Sequence, residues 1–417
     1  MPRPLFLTES FHPVLGGGEE HIRRLGKGLV EAGLKVCVLT RKGKAGWPEH
    51  AVLDGIEVRR VPPEGPGRTG KYRMVPAALR ALRREREAFD LLVVRGTRVL
   101  GLPGLLAGRA LGKPVVLQAE LNGEMSGEAY TWGTALARPG WRPAVAAAMR
   151  ARNLLLRDAD AFVAMSRLIR EEFLAAGLPE QRVHLIPHGV DTERFRPASP
   201  EERSALRRAL GLPPDALVVT YTGRLLRGKG LETLMEAFLQ VESREPRARL
   251  VLVGSGAGQS LTIEAELRRA AHERGRTGSI LFTGRVENVE AYLRAADVFA
   301  FPSVFEALGL SLIEATACGL PCVGSRTGGI VDVIEDESSG FLVNPGEAEG
   351  LAGALTRLLG DAELRRGFGE RARALARSRF DARDSQERYL CLFQELAVRT
   401  SSRPRARALR ADAALLR

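Results

Sequence analysis

The sequence has little of what disulfide-rich, zinc-binding or membrane-spanning proteins need. Its four cysteines are too few for a disulfide framework, and neither their spacing nor the nearby histidines form a zinc motif. The opening residues, MPRPLFLTESF, lack the apolar stretch of a signal peptide, and no run of about 18 apolar residues is long enough to cross a bilayer. We therefore expect a cytoplasmic protein, with any membrane contact peripheral and at the inner face.

Aromatic residues are also scarce, at 6% of the chain, and they are not interleaved with basic residues as in proteins that stack single-stranded nucleic acid. Positive charge, in contrast, is abundant. The 62 lysines and arginines exceed the 50 carboxylates and give a net charge of +12, which favours anionic partners. Because an aromatic platform is lacking, we expect a phosphorylated ligand or an anionic membrane surface and no nucleic acid.

The length and the order of the apolar segments predict two α/β domains. A chain of 417 residues is too long for one core, and short β-like runs alternate with helical periods as in parallel, doubly wound, Rossmann-like sheets. A polar, proline-bearing segment, Asp191–Pro214, interrupts this rhythm. We therefore expect domains at residues 1–195 and 196–380, with the helices of about 381–417 crossing back to the first domain. The predicted strands are Leu5–Thr8, Val36–Thr40, Ile56–Val61, Leu91–Val94, Val115–Gln118, Ala161–Met165, Val183–Ile186, Leu217–Thr222, Arg249–Val253, Ile280–Thr283, Val298–Phe301, Cys322–Gly324 and Phe341–Val343.

The stretch Phe301–Gly329 organises the second half of the chain. It predicts a strand, a loop with Glu306, and a helix from about Gly309, whose free N–H groups and positive dipole end suit a phosphate. Glu306 and Glu314 lie roughly 8 to 12 Å apart along the helix axis, about the span of a diphosphate with a sugar at each end. On these residues alone, an ordinary strand–loop–helix unit with two solvated glutamates stays open.

Three further strand-to-helix turns are rich in glycine. The segment GRLLRGKG, residues 223–230, places Arg224 and Lys229 where they could neutralise a diphosphate. The segment VLVGSGAGQ has Gln259 where a dinucleotide fingerprint needs a third glycine, so we interpret it as a close-approach turn. Near the N-terminus, Thr8–Glu20 contains three glycines but no G-x-G-x-x-G spacing, which disfavours NAD.

These motifs together resemble the retaining GT-B glycosyltransferases of glycosyltransferase family 4. The resemblance covers nearly the whole chain and is most specific in the second domain. In this family the second domain binds a nucleotide sugar, the first mainly recognises the acceptor, and the reaction takes place in the cleft between them. The segments that carry the resemblance are GRLLRGKG (223–230), FTGRV (282–286), PSVFEALGLSLIEATACGLPCVGSRTGGIVDVI (302–334), PVLGGGEEH (13–21) and HLIPHGVDTERFRP (184–197).

By motif match, the resemblance implies a role for each of these residues. Arg224 and Lys229 hold the diphosphate of the donor, Glu306 its sugar and Glu314 its ribose. Amides from Leu308 to Ser311 meet sugar hydroxyls and phosphate. Val286 contacts the base, and Gly17 closes over the diphosphate. The catalytic residues implied are Glu306, Arg224 and Lys229. The residues expected to bind the donor are Gly17, Gly18, Gly223, Gly254, Val286, Leu308, Gly309, Leu310, Ser311 and Glu314.

The chemistry implied is displacement of a nucleoside diphosphate from an anomeric carbon, with no cofactor and no metal. The charge of the leaving group is then stabilised by Arg224, Lys229 and the helix N-terminus. Retention without an evident nucleophile implies same-face attack through an oxocarbenium-like state, in which Glu306 orients the sugar.

One departure from the family concerns the loop after the strand VVLQ. Many members carry a histidine there that contacts the donor sugar, whereas this sequence has Gln118, Glu120, Asn122 and Glu124. Three explanations stay open: a glutamate takes the orienting role, the sugar preference differs, or catalysis is impaired.

The acceptor is expected to be a hydroxyl compound, such as a lipid-linked glycan or another precursor of the cell envelope or of an exopolysaccharide. The basic, partly amphipathic stretches Arg68–Arg86 and Arg138–Arg157 are consistent with contact to anionic lipid, and a solvated helix face is the alternative.

Two other functions also fit the scaffold. One is a nucleotide-sugar 2-epimerase, which would need acid and base residues around the sugar. The other is a non-catalytic protein that binds a nucleotide sugar or nucleic acid, which the net charge and the missing histidine motivate.

Overall fold

A computed structural model describes residues 1–14, 16–65, 69–131, 141–259 and 261–401. The chain forms two compact units. The first contains Met1–Pro187 and the chain from Arg383 onwards, and the second contains His188–Ala382. The domain boundaries expected from the sequence, after residues 195 and 380, fall inside the second unit, close to its two ends.

The first unit is an eight-stranded sheet with the order β3-β4-β2-β1-β5-β6-β7-β8. All pairs of neighbouring strands are parallel except β3 and β4. Its strands are β1 Pro4–Leu7, β2 Cys37–Arg41, β3 His50–Leu53, β4 Ile56–Val61, β5 Leu91–Arg95, β6 Val115–Gln118, β7 Ala161–Ala164 and β8 Val183–Leu185. Its helices before residue 188 are α1 Gly17–Glu31, α2 Gly70–Arg73, α3 Val75–Arg84, α4 Leu102–Ala110, α5 Glu128–Thr131, α6 Arg142–Leu156 and α7 Arg167–Ala175.

The second unit is a wholly parallel, six-stranded sheet with the order β11-β10-β9-β12-β13-β14. Its strands are β9 Leu217–Thr222, β10 Ala248–Val253, β11 Ile280–Gly284, β12 Val298–Phe301, β13 Cys322–Ser325 and β14 Gly340–Val343. Its helices are α8 Pro200–Ala209, α9 Leu231–Arg244, α10 Glu264–Glu273, α11 Val289–Ala295, α12 Leu310–Ala317, α13 Ile330–Val333, α14 Ala348–Gly360 and α15 Ala362–Arg379.

The central strands are apolar on both faces, which is why they form parallel sheets between two layers of helices. The strands β5, with the sequence LLVVR, and β9, with the sequence LVVTYT, are buried at every residue. Strands covered on both sides have near-continuous apolar runs. The prediction of two α/β, doubly wound, Rossmann-like domains is therefore confirmed.

The last helix, α16 Ala382–Ser401, packs on the sheet of the first unit. The Phe393 ring packs edge-on against the Phe6 ring, with 6.3 Å between the ring centroids, and the centroids of Tyr389 and Phe393 are 5.8 Å apart. These side chains share one core with Ile22 and Leu25 of α1. Of the helices expected over about 381–417, the part after Ser401 lies outside the described residues.

The sequence-based prediction of the strands missed β3. This short edge strand pairs antiparallel with β4 through a turn at Asp54 and Gly55, whose φ angles are 51° and 80°. An Asp-Gly turn of this kind is typical of a two-residue hairpin. The strand HAVL is only partly buried, so its apolar signal is weak.

The polar segment Asp191–Pro214, which interrupts the alternation of strands and helices, contains the helix α8. That helix begins with a capping box, in which the Ser199 hydroxyl accepts from the Glu202 N–H and the Glu202 carboxylate accepts from the Ser199 N–H. Among the described residues, no helix is long and apolar enough to cross a membrane.

Candidate active site

Two loops of the second unit meet where the neighbouring strands β9 and β12 end. The first loop, residues 223–230, follows β9, and the second, residues 302–309, follows β12. The Val304 N–H donates to the Gly228 carbonyl at 3.0 Å. Gly230 has a φ of 68°, and a Cβ there would lie 1.9 Å from the Pro302 carbonyl oxygen. Only a glycine allows the two loops to approach this closely.

Lys229 and Glu306, one from each loop, form an ion pair. The distance between Lys229 Nζ and Glu306 Oε2 is 2.7 Å, and the two side chains are only 21% and 17% exposed. Because water is largely excluded, this pair is held more firmly than an ion pair on an open surface. The two residues that the sequence assigned to the diphosphate and to the sugar therefore lie side by side.

Arg224 lies near the same ion pair, as the environment of Tyr221 indicates. The Tyr221 hydroxyl donates to the Arg224 carbonyl at 3.1 Å. Burial raises the pKa of Tyr221, the Glu306 carboxylate raises it further, and the positive charge of Arg224 opposes both effects. Both charged groups are thus within electrostatic range of one buried hydroxyl. The Arg224 side chain is exposed and reaches Gln259 Oε1 only at 3.5 Å.

Helix α12 begins shortly after Glu306 and presents its positive end without a cap. Gly309 is the N-cap, no side chain caps it, and the first turn has no acidic residue. Leu312 and Ile313 both donate to the Gly309 carbonyl at 3.1 Å, so the N–H groups of Leu310 and Ser311 precede the first hydrogen bonds of the helix. Such an N-terminus favours an anion. Leu308, just before it, is buried.

Glu314 lies in the second turn of α12, and the residue is only 7% exposed. Burial raises the pKa of Cys318, and the Glu314 carboxylate raises it further, as expected for residues four apart on one helix face. Since neither Glu306 nor Glu314 is exposed, the alternative of two solvated glutamates is wrong.

The ends of β9, β10 and β11 touch through glycines. Gly223 donates to the Val253 carbonyl at 2.9 Å, and Gly254 donates to the Gly284 carbonyl at 3.0 Å. A Cβ on Gly254 would lie 2.0 Å from the Gly223 carbonyl oxygen. The predicted close-approach turn is therefore confirmed. Val286 follows β11 and is half-buried.

In the first unit, Gly17 and Gly18 are the first residues of α1. Arg95, at the end of β5, is only 2% exposed and donates from Nη1 to the Gly18 carbonyl at 2.8 Å. This buried guanidinium thus fixes the glycine-rich turn to the sheet. Its Nη2 lies 3.6 Å from Glu120 Oε1.

The loop after β6 separates the roles of its two glutamates. Glu124 accepts four hydrogen bonds: from the N–H and the hydroxyl of Thr97 at 2.7 and 2.6 Å, and from the N–H groups of Glu120 and Leu121 at 2.9 and 3.0 Å. Its carboxylate is therefore committed to shaping the loop. The Glu120 side chain stays 32% exposed, and desolvation in the loop raises the pKa of its carboxyl group.

The other two polar residues of this loop are buried. Gln118 donates to the Tyr389 hydroxyl at 3.1 Å, and Asn122 is 6% exposed. Of the four residues at the position where a family histidine was expected, Glu120 alone keeps a partly exposed side chain. Among the described residues, no group of three or more His, Cys, Asp or Glu side chains is arranged to hold a metal ion.

Two family models match the chain, one on each half. Residues 15–194 match Glycosyltransferase Family 4, and residues 202–375 match Glycosyl transferases group 1. A relative described as a D-inositol 3-phosphate glycosyltransferase, from Xylanimonas cellulosilytica, is 31% identical over 378 residues, which are 87% of this chain and 88% of the relative. The chain belongs to glycosyltransferase family 4. A second relative of this glycosyltransferase, from Saccharomonospora viridis and with the same description, is 31% identical over 91% of this chain and 89% of its own length.

Solved structures agree with the GT-B fold class. The Anabaena protein Alr3699/HepE, solved in complex with UDP-glucose, has a TM-score of 0.74 at 23% identity and covers 97% of this chain and all of its own. A sucrose-phosphate synthase from Thermosynechococcus elongatus has a TM-score of 0.76 at 26% identity, with 94% of this chain and 99% of its own covered. The family models and the relatives confirm the glycosyltransferase interpretation of the sequence and favour it over the epimerase and the non-catalytic binding protein.

Within the second unit, the glycosyltransferase brings together Arg224, Lys229, Glu306 and the N-terminus of α12, as the sequence predicted. The roles of these residues and of Gly17, Gly18, Gly223, Gly254, Val286 and Glu314 toward a donor stay predictions. Sequence reasoning missed Arg95 and Tyr221. Each lies at or near the carboxyl end of a fully buried strand, where a polar side chain is a signal in itself.

Proposed function

We propose that this glycosyltransferase takes a nucleoside-diphosphate sugar, of the UDP or GDP type, as its donor and transfers the sugar to a hydroxyl group with retention of configuration. The observation that carries this proposal is the Lys229–Glu306 ion pair at 2.7 Å, next to the uncapped N-terminus of α12. A cation, a carboxylate and free backbone N–H groups at one point match the two halves of such a donor, its phosphates and its sugar hydroxyls.

The cationic side of the site is assigned to the diphosphate. Lys229 Nζ has three donor hydrogens and uses one toward Glu306, so it can bind a phosphate oxygen and keep the ion pair. Arg224 adds an exposed guanidinium from the same loop, and Leu310 and Ser311 add N–H groups. As the bond to the anomeric carbon breaks, these groups stabilise the charge that develops on the leaving diphosphate. No metal ion is required for this step.

The carboxylate side of the site is assigned to the sugar. Lys229 holds Glu306 in a fixed position, which places a carboxylate where sugar hydroxyls can donate to it. A carboxylate already bound to a lysine is a weak nucleophile. We therefore assign Glu306 the orientation of the donor. We infer that the acceptor hydroxyl attacks from the face that the diphosphate leaves and passes its proton to an oxygen of the departing diphosphate. Glu314 is assigned to the ribose and Val286 to the base.

The acceptor is proposed to be a hydroxyl group of a cell-envelope or exopolysaccharide precursor, including lipid-linked glycans. The curated relatives are described as D-inositol 3-phosphate glycosyltransferases, so a phosphorylated polyol is the second candidate. These two candidate acceptors differ in solubility. A lipid-linked glycan requires the enzyme to act at a membrane surface, whereas a phosphorylated polyol does not.

The test is a panel of nucleoside diphosphates and their sugars, scored by thermal shift and by release of nucleoside diphosphate. Binding should raise the melting temperature for one base, and release should then follow for one of its sugars once D-inositol 3-phosphate or a lipid-linked glycan is added. The anomeric configuration of the product, read by NMR, tests retention, and an assay with excess chelator tests independence from metal. Absence of a thermal shift with every nucleoside diphosphate would refute the proposal.

A further inference from the structure

One row of helices in the first unit contains no carboxylate. Helices α3 and α4 pack against each other, and α4 packs against α6. Their sequences, VPAALRALRR, LPGLLAGRA and RPAVAAAMRARNLLL, have three, one and three arginines and neither Asp nor Glu. In contrast, α1 and α16 of the same unit carry glutamates along their length. Positive charge is therefore concentrated on one row of helices.

The outward face of α6 is apolar, which is unusual for a solvated helix. Leu154 and Leu155 are 59% and 56% exposed, and Trp141, just before the helix, is 55% exposed. The side chains that face inward are Asn153, which donates to the Met125 carbonyl at 3.0 Å and is buried, and Leu156, which is fully buried. The remaining exposed apolar residues of the helix are Pro143, Ala144, Ala147, Ala148 and Ala151.

Helices α3 and α4 add further exposed apolar and basic side chains to the row. Leu106 of α4 is 60% exposed. The arginines Arg80 and Arg83 of α3 and Arg150 of α6 are all exposed. Two exposed carboxylates follow these helices, and each has an arginine close by: Glu87 lies 3.3 Å from Arg86, and Asp158 lies 3.0 Å from Arg109. Glu87 is offset by Arg86, which lies outside the row, whereas Asp158 offsets Arg109, the one arginine of α4. The positive charge of the row therefore comes from the arginines of α3 and α6.

We propose that the row α3–α4–α6 is the surface with which the first unit docks on an anionic lipid bilayer. Exposed leucines and a tryptophan suit insertion among acyl chains and headgroups, and flanking arginines suit the anionic headgroups themselves. Both requirements are met on the same row, and the complementary charge is supplied by the lipid. The inference is independent of the donor site and holds for either candidate acceptor.

A second copy of the chain fits this surface less well. A two-fold interface places the same patch of both copies together, so the arginines of one row would face those of the other. Nucleic acid would satisfy the arginines but would leave the exposed leucines in water. A bilayer satisfies both kinds of side chain.

The test is co-sedimentation of the full chain with vesicles of phosphatidylcholine alone or mixed with phosphatidylglycerol. We expect at least about tenfold stronger binding to the anionic vesicles, weakened by added salt, because each arginine near the surface contributes and salt screens it. Leu154→Ser with Leu155→Ser should weaken this binding about tenfold, since it removes the apolar part. The matched control changes two exposed apolar residues elsewhere, Val52→Ser with Leu281→Ser, and should bind as the wild type does.

The charge contribution is tested in the same assay. Arg80→Gln with Arg150→Gln should weaken binding to anionic vesicles about tenfold, whereas Arg208→Gln with Arg274→Gln, which removes the same charge from exposed sites on the second unit, should not. All variants should keep the wild-type melting temperature and the wild-type thermal shift with a nucleoside diphosphate, which separates this test from that of the donor site.

Three outcomes would overturn the proposal. The first is equal binding to neutral and anionic vesicles. The second is wild-type binding by both variants of the row. The third is a leucine variant that changes the sedimentation of the free protein from dimer to monomer and leaves vesicle binding intact, which would make the row an interface between copies of this chain.

Discussion

Gly230 and Pro302 lie closer together than any residue with a side chain would permit. The φ of Gly230 is 68°, and a Cβ would come within 1.9 Å of the Pro302 carbonyl oxygen. This approach brings the loop that carries Lys229 against the loop that carries Glu306, and so it makes their 2.7 Å ion pair possible. The geometry of the charged pair thus depends on a residue that carries no charge.

Gly230→Ala should lower the free energy of unfolding of the second unit by at least about 2 kcal/mol, because the substitution adds both left-handed strain and a collision with backbone. The matched control is Gly353→Ala in α14, where a Cβ would meet nothing within 4 Å. That change should raise the stability by about 0.5–1 kcal/mol. Urea unfolding followed by circular dichroism measures both. Equal stability of the two variants would contradict the close approach.

The two residues of the Lys229–Glu306 ion pair should differ in what their removal affects: loss of Glu306 should lower turnover, and loss of Lys229 should weaken binding of the nucleoside diphosphate. Glu306→Ala should reduce turnover at least about 100-fold, because the donor sugar loses its orienting group. Binding of the nucleoside diphosphate should stay the same or tighten, since Lys229 is then no longer neutralised. Lys229→Ala should instead weaken that binding by about 10- to 100-fold, because a charge-assisted hydrogen bond is lost.

Calorimetric titration and release of nucleoside diphosphate measure these two effects. The control is Arg227→Ala in the same loop, whose side chain pairs with Glu232 and Glu266 and not with Glu306. It should behave as the wild type does. Loss of nucleoside-diphosphate binding in Glu306→Ala would argue against the assigned roles.

The two glutamates of the loop after β6 should separate into a structural and a substrate-side residue. Glu124→Ala should destabilise the first unit by about 2–4 kcal/mol, because buried donors of Thr97, Glu120 and Leu121 lose their acceptor. Glu120→Gln should unfold like the wild type, since its carboxyl group is partly exposed and no short hydrogen bond is broken.

The activity of Glu120→Gln then chooses among the explanations for the missing histidine. A drop in turnover with unchanged stability and unchanged nucleoside-diphosphate binding would show that Glu120 has the orienting role. Turnover equal to that of the wild type would exclude this role for Glu120 and leave a different sugar preference or impaired catalysis as the explanation. Thermal unfolding and the release assay together provide these values.

The stability of the first unit should depend on pH through Asp90. Hydrogen bonds from Arg3, on both its side chain and its N–H, lower the pKa of Asp90 below its ordinary value. The pair therefore stabilises the fold above about pH 4, the ordinary value, and this contribution is lost as the pH falls through the lowered folded-state pKa.

Asp90→Asn should accordingly reduce the free energy of unfolding at pH 7 by no more than about 1 kcal/mol, because both side chains are about a third exposed and solvent screens the pair. The difference from the wild type should shrink as the pH drops below about 4. Urea titrations at pH 7, 4 and 3 measure it, with Glu273→Gln, an exposed carboxylate on α10, as the control. A difference that grows toward low pH would contradict the assigned cause.

The sequence determined the order and nature of the main elements, because buried parallel strands need long apolar runs and these runs are local. It also determined the chemistry of the donor loops, since Arg224, Lys229 and Glu306 are recognised by their places at strand ends. The sequence did not predict helix α8 or strand β3. Polar capping residues in α8 and half-exposed residues in the edge strand β3 leave little apolar periodicity.

Only the tertiary structure decided which charged groups meet. Lys229 and Glu306 are 77 residues apart, so their pairing depends on the adjacency of β9 and β12 in the sheet. The same holds for the loop after β6, where four similar polar residues differ only in their partners: Glu124 is committed to backbone donors and Glu120 stays partly exposed. Local sequence fixes the type of a side chain, but burial and hydrogen bonding across distant segments fix what that side chain is able to do.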